Sequence, residues 1–170
     1  DHKLDGWGFR TEIGSAVFTN YESYKKFMPE PERWPASPGM LDKHFFGNSA
    51  GNARPTRYFA AVEYNYGKAA GAEDFCRKAQ LLNIEVNKAM YEGWQHHLWN
   101  DASGILTWMS QSAYPSFVWQ TYDYYYDLNG AYWGVRKACE PLHIQWSYAD
   151  NTVKVVNASG EAYNLSLIHI

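Results

Sequence analysis

Long apolar runs are missing from this 170-residue sequence, so no segment approaches the length that a bilayer-crossing helix needs. Basic runs are missing as well. The 15 Lys and Arg residues stand against 18 Asp and Glu, a formal net charge of −3, which leaves nothing to hold a polyanion and points away from nucleic acid. Only two cysteines occur, Cys76 and Cys139, in no CxxC or Cys/His pattern. Neither a zinc site nor a disulfide framework is indicated, and the expected state is two buried free thiols. No Gly-rich phosphate loop is present, the nearest stretch being Gly47-Asn48-Ser49-Ala50-Gly51, which matches no fingerprint. Ser15, Ser110 and Ser112 have no G-x-S-x-G context, so a serine nucleophile has no support. The first residues, DHKLDGWGF, include neither an initiating Met nor an apolar signal core, and the chain is expected to be cut at its front. Internal repeats and low-complexity tracts are absent.

Aromatic residues, by contrast, make up 18% of the chain within a hydrophobic share of 46%, which argues for a folded domain. They crowd into Gly104 to Pro141, GILTWMSQSAYPSFVWQTYDYYYDLNGAYWGVRKACEP. Such density supplies broad, rigid faces whose OH and NH groups need partners, and it suits flat, hydroxyl-rich ligands such as sugars. A large aromatic core is the alternative use for most of these rings; Trp108 and Trp119 are the two singled out for ligand contact.

Gly6 to Glu12 reads as a strand that delivers Glu12 at its end, before the small residues Gly14, Ser15 and Ala16. Tyr21 to Met28 reads as a short helix stopped by Pro29. Pro29 to Pro55 reads as a long irregular excursion, packed through His44-Phe45-Phe46. A helix from Arg57 to Tyr66 ends at Gly67. The clearest helix runs from Ala72 to Trp99, where Phe75, Ala79, Leu82, Val86, Ala89, Met90 and Gly93 form a stripe expected to face a sheet. Gly104 to Met109 is the next strand. A second helical region spans Thr121 to Glu140, with a break at Asn129-Gly130, and a β-hairpin forms from His143 to Ser147 and Val153 to Asn157 around Asp150-Asn151. The order is α/β. It fits the last units of an α/β barrel running into a β-sandwich, and equally a piece of an open parallel sheet.

Glu12 is the best single catalytic candidate: at the carboxyl end of a strand it could meet Trp108, at the equivalent end of the next, over one pocket. A carboxylate beside an indole is minimum equipment for handling a sugar ring, the carboxylate reaching the anomeric carbon and the indole carrying the apolar face. A strand-end salt bridge is the bland alternative for Glu12. Glu92 and His96 are four apart on a helix without a third ligand, so helix-dipole compensation is favoured over a metal site. His44 could reach a pocket from its loop, or pack there. Asp123 and Asp127 flank the tyrosine run and read as helix surface or as support. Neither a metal nor a cofactor is expected.

FRTEIGSA around Glu12, DFCRKAQLLN at Asp74 to Asn83, and TWMSQSAYPSFVWQTYDYYYDLNGAYWGVRKACEPLHIQWS together resemble the C-terminal half of the catalytic barrel of family-two glycoside hydrolases. The branch is that of exo-β-D-glucosaminidases, β-mannosidases and plant endo-β-mannosidases, and the likeness runs from Trp7 to Asn157. It implies the C-terminal portion of a (β/α)8 TIM barrel over 1–142, then the start of an immunoglobulin-like β-sandwich over 143–164. Leu165 to Ile170, LSLIHI, resembles the translation of a sequencing-library adaptor and is set aside as an artefact.

By this resemblance Glu12 is the nucleophile of a retaining β-glycosidase. Trp108 lies at the subsite of the released sugar, with Gln111, Tyr114, Trp119 and His44 as further substrate-binding candidates. Gln111 and Ser112 stand where the glucosaminidases carry an amide pair, a departure that weighs against amino-sugar specificity. The family's acid/base glutamate, in an Asn-Glu pair, has no counterpart here and would lie upstream of Asp1. The implied partners are an oligosaccharide or glycan substrate and the remaining barrel strands of the same chain, with no nucleic acid and no membrane. An extracellular or periplasmic location is compatible with the family. The rival reading is a non-catalytic carbohydrate-binding module with Trp108 and Trp119 as its platform, and a third is a purely structural α/β piece.

Overall fold

The computed structural model describes residues 8–45 and 54–166. Gly6, Trp7, Phe46, the Gly47–Gly51 stretch and residues 167–170 lie outside them. Strand β1 (Gly8–Ile13) is followed by α1 (Tyr21–Phe27), a 3-10 turn at Glu30–Glu32, α2 (Pro38–His44), α3 (Pro55–Tyr66) and α4 (Ala72–His96). Strand β2 (Ala102–Thr107), α5 (Gly130–Ala138), β3 (Leu142–Ser147) and β4 (Thr152–Asn157) complete an α/β chain.

β1 and β2 pair in parallel, so the chain leaves the carboxyl end of β1, crosses through the helices and returns alongside it. β3 and β4 form the expected antiparallel hairpin, with Ile144 opposite Val155 and Trp146 opposite Val153. The hairpin is tied to α4 by Glu92, whose carboxylate takes His143 Nε2 at 2.7 Å and Lys88 Nζ at 2.7 Å, and by His96, whose Nε2 meets Asp150 at 2.9 Å. Glu92 and His96 are therefore anchors of the hairpin. Among the described residues no cluster of three or more His, Cys, Asp or Glu side chains could hold a metal, and no helix is long and apolar enough to cross a membrane.

Several local expectations are corrected. The stretch after Pro29 contains α2, begun by Pro38 at its first turn, where proline is well suited. The apolar stripe of α4 is buried at Phe75, Ala79 and Leu82, but Val86 and Ala89 are exposed. The buried side continues instead through Asn83, Asn87, Tyr91 and Trp94, and α4 packs chiefly on α5 rather than on a sheet. That packing is close because α5 presents glycines: a Cβ on Gly130 would stand 2.2 Å from the Gln80 carbonyl oxygen, and one on Gly134 would stand 2.3 Å from that of Ile84. The helix expected over 121–140 is present only as α5. Asp123 folds the tyrosine run into a turn by accepting from the backbone N–H groups of Tyr125 and Asp127, and Asn129 caps α5 through Ala131 N–H. Cys76 is buried, whereas Cys139 is exposed because it lies just past α5.

The apolar core gathers around Phe18, which stacks on Phe117 at 4.2 Å between ring centroids and meets Phe75 edge-on at 5.0 Å. Leu41, Tyr24, Phe45, Tyr58 and Val62 close around this pair.

Candidate active site

The carboxyl ends of β1 and β2 lie side by side, since Ile13 is paired with Thr107 and Trp108 N–H donates to the Ile13 carbonyl at 2.8 Å. Between Arg10, opposite Ile105, and Ile13, opposite Thr107, β1 has one residue more than β2, a bulge that falls on Thr11 and Glu12. A bulge re-aims side chains at a strand end, and it is a common device beside reactive sites. Glu12 is exposed, and its carboxylate makes no hydrogen bond or ion pair with any described residue, so the salt-bridged strand end does not describe it. Trp108 follows β2 directly and is 49% exposed.

Beyond these two residues the chain is drawn together. The loop after β2 returns along the segment after β1: Ala16 bridges Val118 and Val17 N–H donates to the Phe117 carbonyl. Trp119 takes a left-handed backbone (φ 53°), is partly buried against the core, and accepts from Met109 N–H at 2.5 Å. Gly14 is the hinge of this arrangement. A Cβ there would lie 1.9 Å from the Trp108 carbonyl oxygen and 3.1 Å from Trp119 Cδ1, so the room left by the small residues is taken up by the two tryptophans rather than by open space.

The polar groups beneath are fully committed. Asn83, with no exposure, accepts from Phe18 N–H and from the Tyr58 hydroxyl at 2.6 Å, and donates to the Phe18 carbonyl. Gln80 donates to the carbonyls of Phe18 and Thr19 and accepts from Gly130 N–H. Burial, with Cys76 as a lesser contributor, pushes the Tyr58 phenol well above its ordinary value, so it remains a donor. Asp123 is buried and accepts from the Thr19 hydroxyl at 2.8 Å, which makes it a support and not a reactive group.

The remaining candidates separate. His44 Nδ1 contacts the Pro115 carbonyl at 2.7 Å and its ring lies against Phe27 and Phe117, so it is turned into the packing. Tyr114 is half-exposed and reaches the Lys43 carbonyl. The Gln111 amide donates to the Asp123 carbonyl at 3.5 Å, while the buried Ser112 hydroxyl is held by the Gln120 side chain. Glu12, Trp108 and Trp119 thus share one end of the strand pair, and His44 does not join them. Sequence reasoning missed the bulge at Glu12, because register is invisible in one strand, and missed Asn83, which sits inside an apolar stripe. The small-residue run after Glu12 was the one available signal for the close approach at Gly14.

No protein-family model matches the chain. It is 33% identical over 161 residues to the exo-β-D-glucosaminidase of Amycolatopsis orientalis, covering 92% of this chain and 16% of that enzyme. It is 29% identical over 166 residues to the mannosylglycoprotein endo-β-mannosidase of Lilium longiflorum, covering 91% and 17%. Among solved structures, a substituted form of Amycolatopsis orientalis exo-chitosanase CsxA in complex with PNP-β-D-glucosamine superposes with a TM-score of 0.78 at 31% identity, over 92% of this chain and 19% of that one. A β-D-mannosidase from Dictyoglomus thermophilum shares the fold with a TM-score of 0.69 at 19% identity, over 86% and 18%. The chain therefore spans about a sixth of the curated relatives' length. It belongs to glycoside hydrolase family two, in the branch of the exo-β-D-glucosaminidases and β-mannosidases.

Proposed function

We propose that this chain carries the nucleophile of a retaining β-glycosidase that hydrolyses β-linked mannose-like or glucosamine-like residues. The observation that carries the reading is the exposed Glu12 carboxylate, unpaired among the described residues, at a bulged strand end, with the half-exposed Trp108 directly after the carboxyl end of the neighbouring parallel strand. In the double displacement, the Glu12 carboxylate attacks the anomeric carbon while a second carboxyl group protonates the departing glycosidic oxygen. Water, deprotonated by that second group, then releases the sugar and regenerates Glu12. Trp108 carries the apolar face of the ring being cleaved.

Retaining chemistry needs the two carboxyl groups about 5 to 5.5 Å apart. Glu12 supplies one, and the other comes from the remainder of a longer chain. On this reading residues 1–142 are the last βα units of a (β/α)8 barrel, 143–164 begin an immunoglobulin-like sandwich, and 165–170 are adaptor-derived. The 170-residue chain alone is catalytically silent, and measurable turnover of an aryl β-glycoside by it would refute that part. A carbohydrate-binding module built on Trp108 and Trp119 is not favoured, because the relatives that match along the chain are hydrolases.

The deciding experiment treats the full-length protein with a 2-deoxy-2-fluoro β-glycoside and maps the labelled peptide. A covalent adduct on Glu12 is expected. Turnover with no adduct at Glu12 removes it from the mechanism, and neither turnover nor adduct with any β-mannoside or β-glucosaminide removes the glycosidase reading.

A further inference from the structure

Three residues beyond Trp108 the loop opens onto a groove of about 590 Å³ lined by Lys26, Gln111, Ser112, Tyr124, Tyr125 and Tyr126. We propose that this groove is a second glycan subsite, which takes an uncharged sugar unit farther along the chain whose terminal unit sits at Glu12 and Trp108. The proposal rests on the glycosidase reading above and adds to it a location and a charge preference.

Placement comes first. Three peptide units separate Trp108 from Gln111, so their Cα atoms are at most about 11 Å apart. One oligosaccharide can span both places. The loop is also firmly set there, since Thr121 and Tyr122 both donate their N–H groups to the Ser110 carbonyl.

The lining divides into occupied and free groups. Tyr125 is already covered: the Lys26 ammonium stands 4.6 Å over its ring, and Phe27 stacks on it at 6.4 Å. The Ser112 hydroxyl is spent on Gln120. Tyr124 and Tyr126 remain, at 43% and 77% exposure, with Tyr124 edge-on to Tyr125. Tyr126 is held in the left-handed region at φ 63°, a conformation uncommon for an aromatic residue and costly enough to ask what it serves. Exposed rings of this kind offer the apolar face that a pyranose stacks upon, and Gln111 offers an amide oxygen to a sugar hydroxyl.

Charge selects among sugars. Among the described residues Lys26 is the one charged side chain lining the groove, and no carboxylate lines it. The two acids that flank the tyrosine run are engaged elsewhere: Asp123 faces Thr19 and the backbone of its own turn, and Asp127 takes the Asn20 amide. An ammonium-bearing sugar meets a like charge here, whereas a neutral hydroxylated unit gains a cationic donor. The groove therefore favours a neutral hexose over a glucosaminium unit.

The test measures calorimetric binding by the full-length protein carrying Glu12→Gln, so that ligand is not consumed. The ligands are a β-1,4-linked mannose tetramer, a β-1,4-linked glucosamine tetramer and methyl β-mannoside. Tyr126→Ala should lower the ratio of mannose-tetramer to monosaccharide affinity about tenfold, equivalent to about 1.4 kcal/mol. Tyr126→Phe should preserve the ratio, since the ring does the work. Lys26→Gln should tighten the glucosamine tetramer about threefold, as expected for an exposed charge pair. The proposal is overturned by a ratio unchanged in Tyr126→Ala, by a Phe variant as weak as the Ala variant, or by equal affinity of the unsubstituted groove for the two tetramers. Continued hydrolysis by the Glu12→Gln protein would remove Glu12 from the chemistry and leave these ratios readable as KM values, so the two readings fail separately.

Discussion

β1 is a strand whose first five residues are exposed, while residues 16–19, which belong to no strand, are each at 7% exposure or less. The two segments are separated by Gly14 and Ser15 alone. The difference is one of partners. Among the described residues β1 has a single neighbour, β2. Residues 16–19 are enclosed from three sides: by Phe117 and Val118 through the backbone, by Gln80 and Asn83 from α4, and by Asp123 at the Thr19 hydroxyl. The candidate site thus stands on an exposed strand, and the irregular segment after it is what is fixed in place.

If that division holds, substitutions in the two segments should fail in opposite ways. The largest effect is expected at Glu12. In the full-length enzyme Glu12→Gln should cut kcat by roughly four orders of magnitude or more, as for removal of a nucleophile. Its thermal stability should stay within about 0.5 kcal/mol, because the side chain is exposed and has no partner among the described residues. A kinetic loss below about tenfold would dissolve the contrast.

Asn83→Ala should do the reverse. It leaves Phe18 N–H without a partner in a dry core, and takes one of two partners from the Phe18 carbonyl, which keeps Gln80, and from the Tyr58 hydroxyl, which keeps the Ala79 carbonyl, at a cost of about 3 kcal/mol in a denaturant titration. An unfolding free energy unchanged within 1 kcal/mol would show that residues 16–19 are held by apolar packing alone.

Gly14→Ala tests the junction. The added methyl has no place beside the Trp108 carbonyl, so about 2 kcal/mol of strain must be absorbed by moving the backbone that carries the indole. Stability and kcat/KM should fall together, unlike either of the first two variants. Ser15→Ala, one residue on, serves as the control and should stay within about 0.5 kcal/mol.

What the sequence disclosed follows the same line. The β3–β4 hairpin and the Gly67 stop of α3 are where alternation and turn chemistry place them, and the two strands of the parallel pair lie within two residues of their expected bounds. Glu12 and Trp108 were legible to within one residue of the strand ends, which fall at Ile13 and Thr107. The bulge under Glu12 was not, since it is a property of two strands in register. The tyrosine run read as helix because its spacing permits one. It is instead a turn, because Asp123 bonds the backbone N–H groups of Tyr125 and Asp127, and a propensity scan weighs no such bond. Asn83 was hidden for a related reason: in a stripe of Phe75, Ala79 and Leu82 it looks like a polar interruption, and only the fold brings Phe18 and Tyr58 to its amide.

The smallest effect expected near neutral pH concerns Tyr58 in that same buried set. Burial raises its folded pKa well above the ordinary 10.0, so the phenol stays neutral in the native state while it ionises in the unfolded chain. The raised value means that its contribution is fully present below pH 10 and is lost as pH climbs from there toward the folded pKa. Above pH 10 the unfolding free energy should drop by up to about 1.4 kcal/mol per pH unit for each such group. Tyr24, also raised by burial, and Cys76, pushed up from 9.0 to about 12, add to the slope, the thiol from pH 9 onward. Tyr58→Phe should therefore lower stability by about 1 kcal/mol at pH 7, through the lost bond to Asn83, and make the alkaline slope shallower by one proton. An identical slope in the two proteins above pH 10 would mean that water reaches Tyr58, and with it the polar set that holds residues 16–19 beneath the exposed strand.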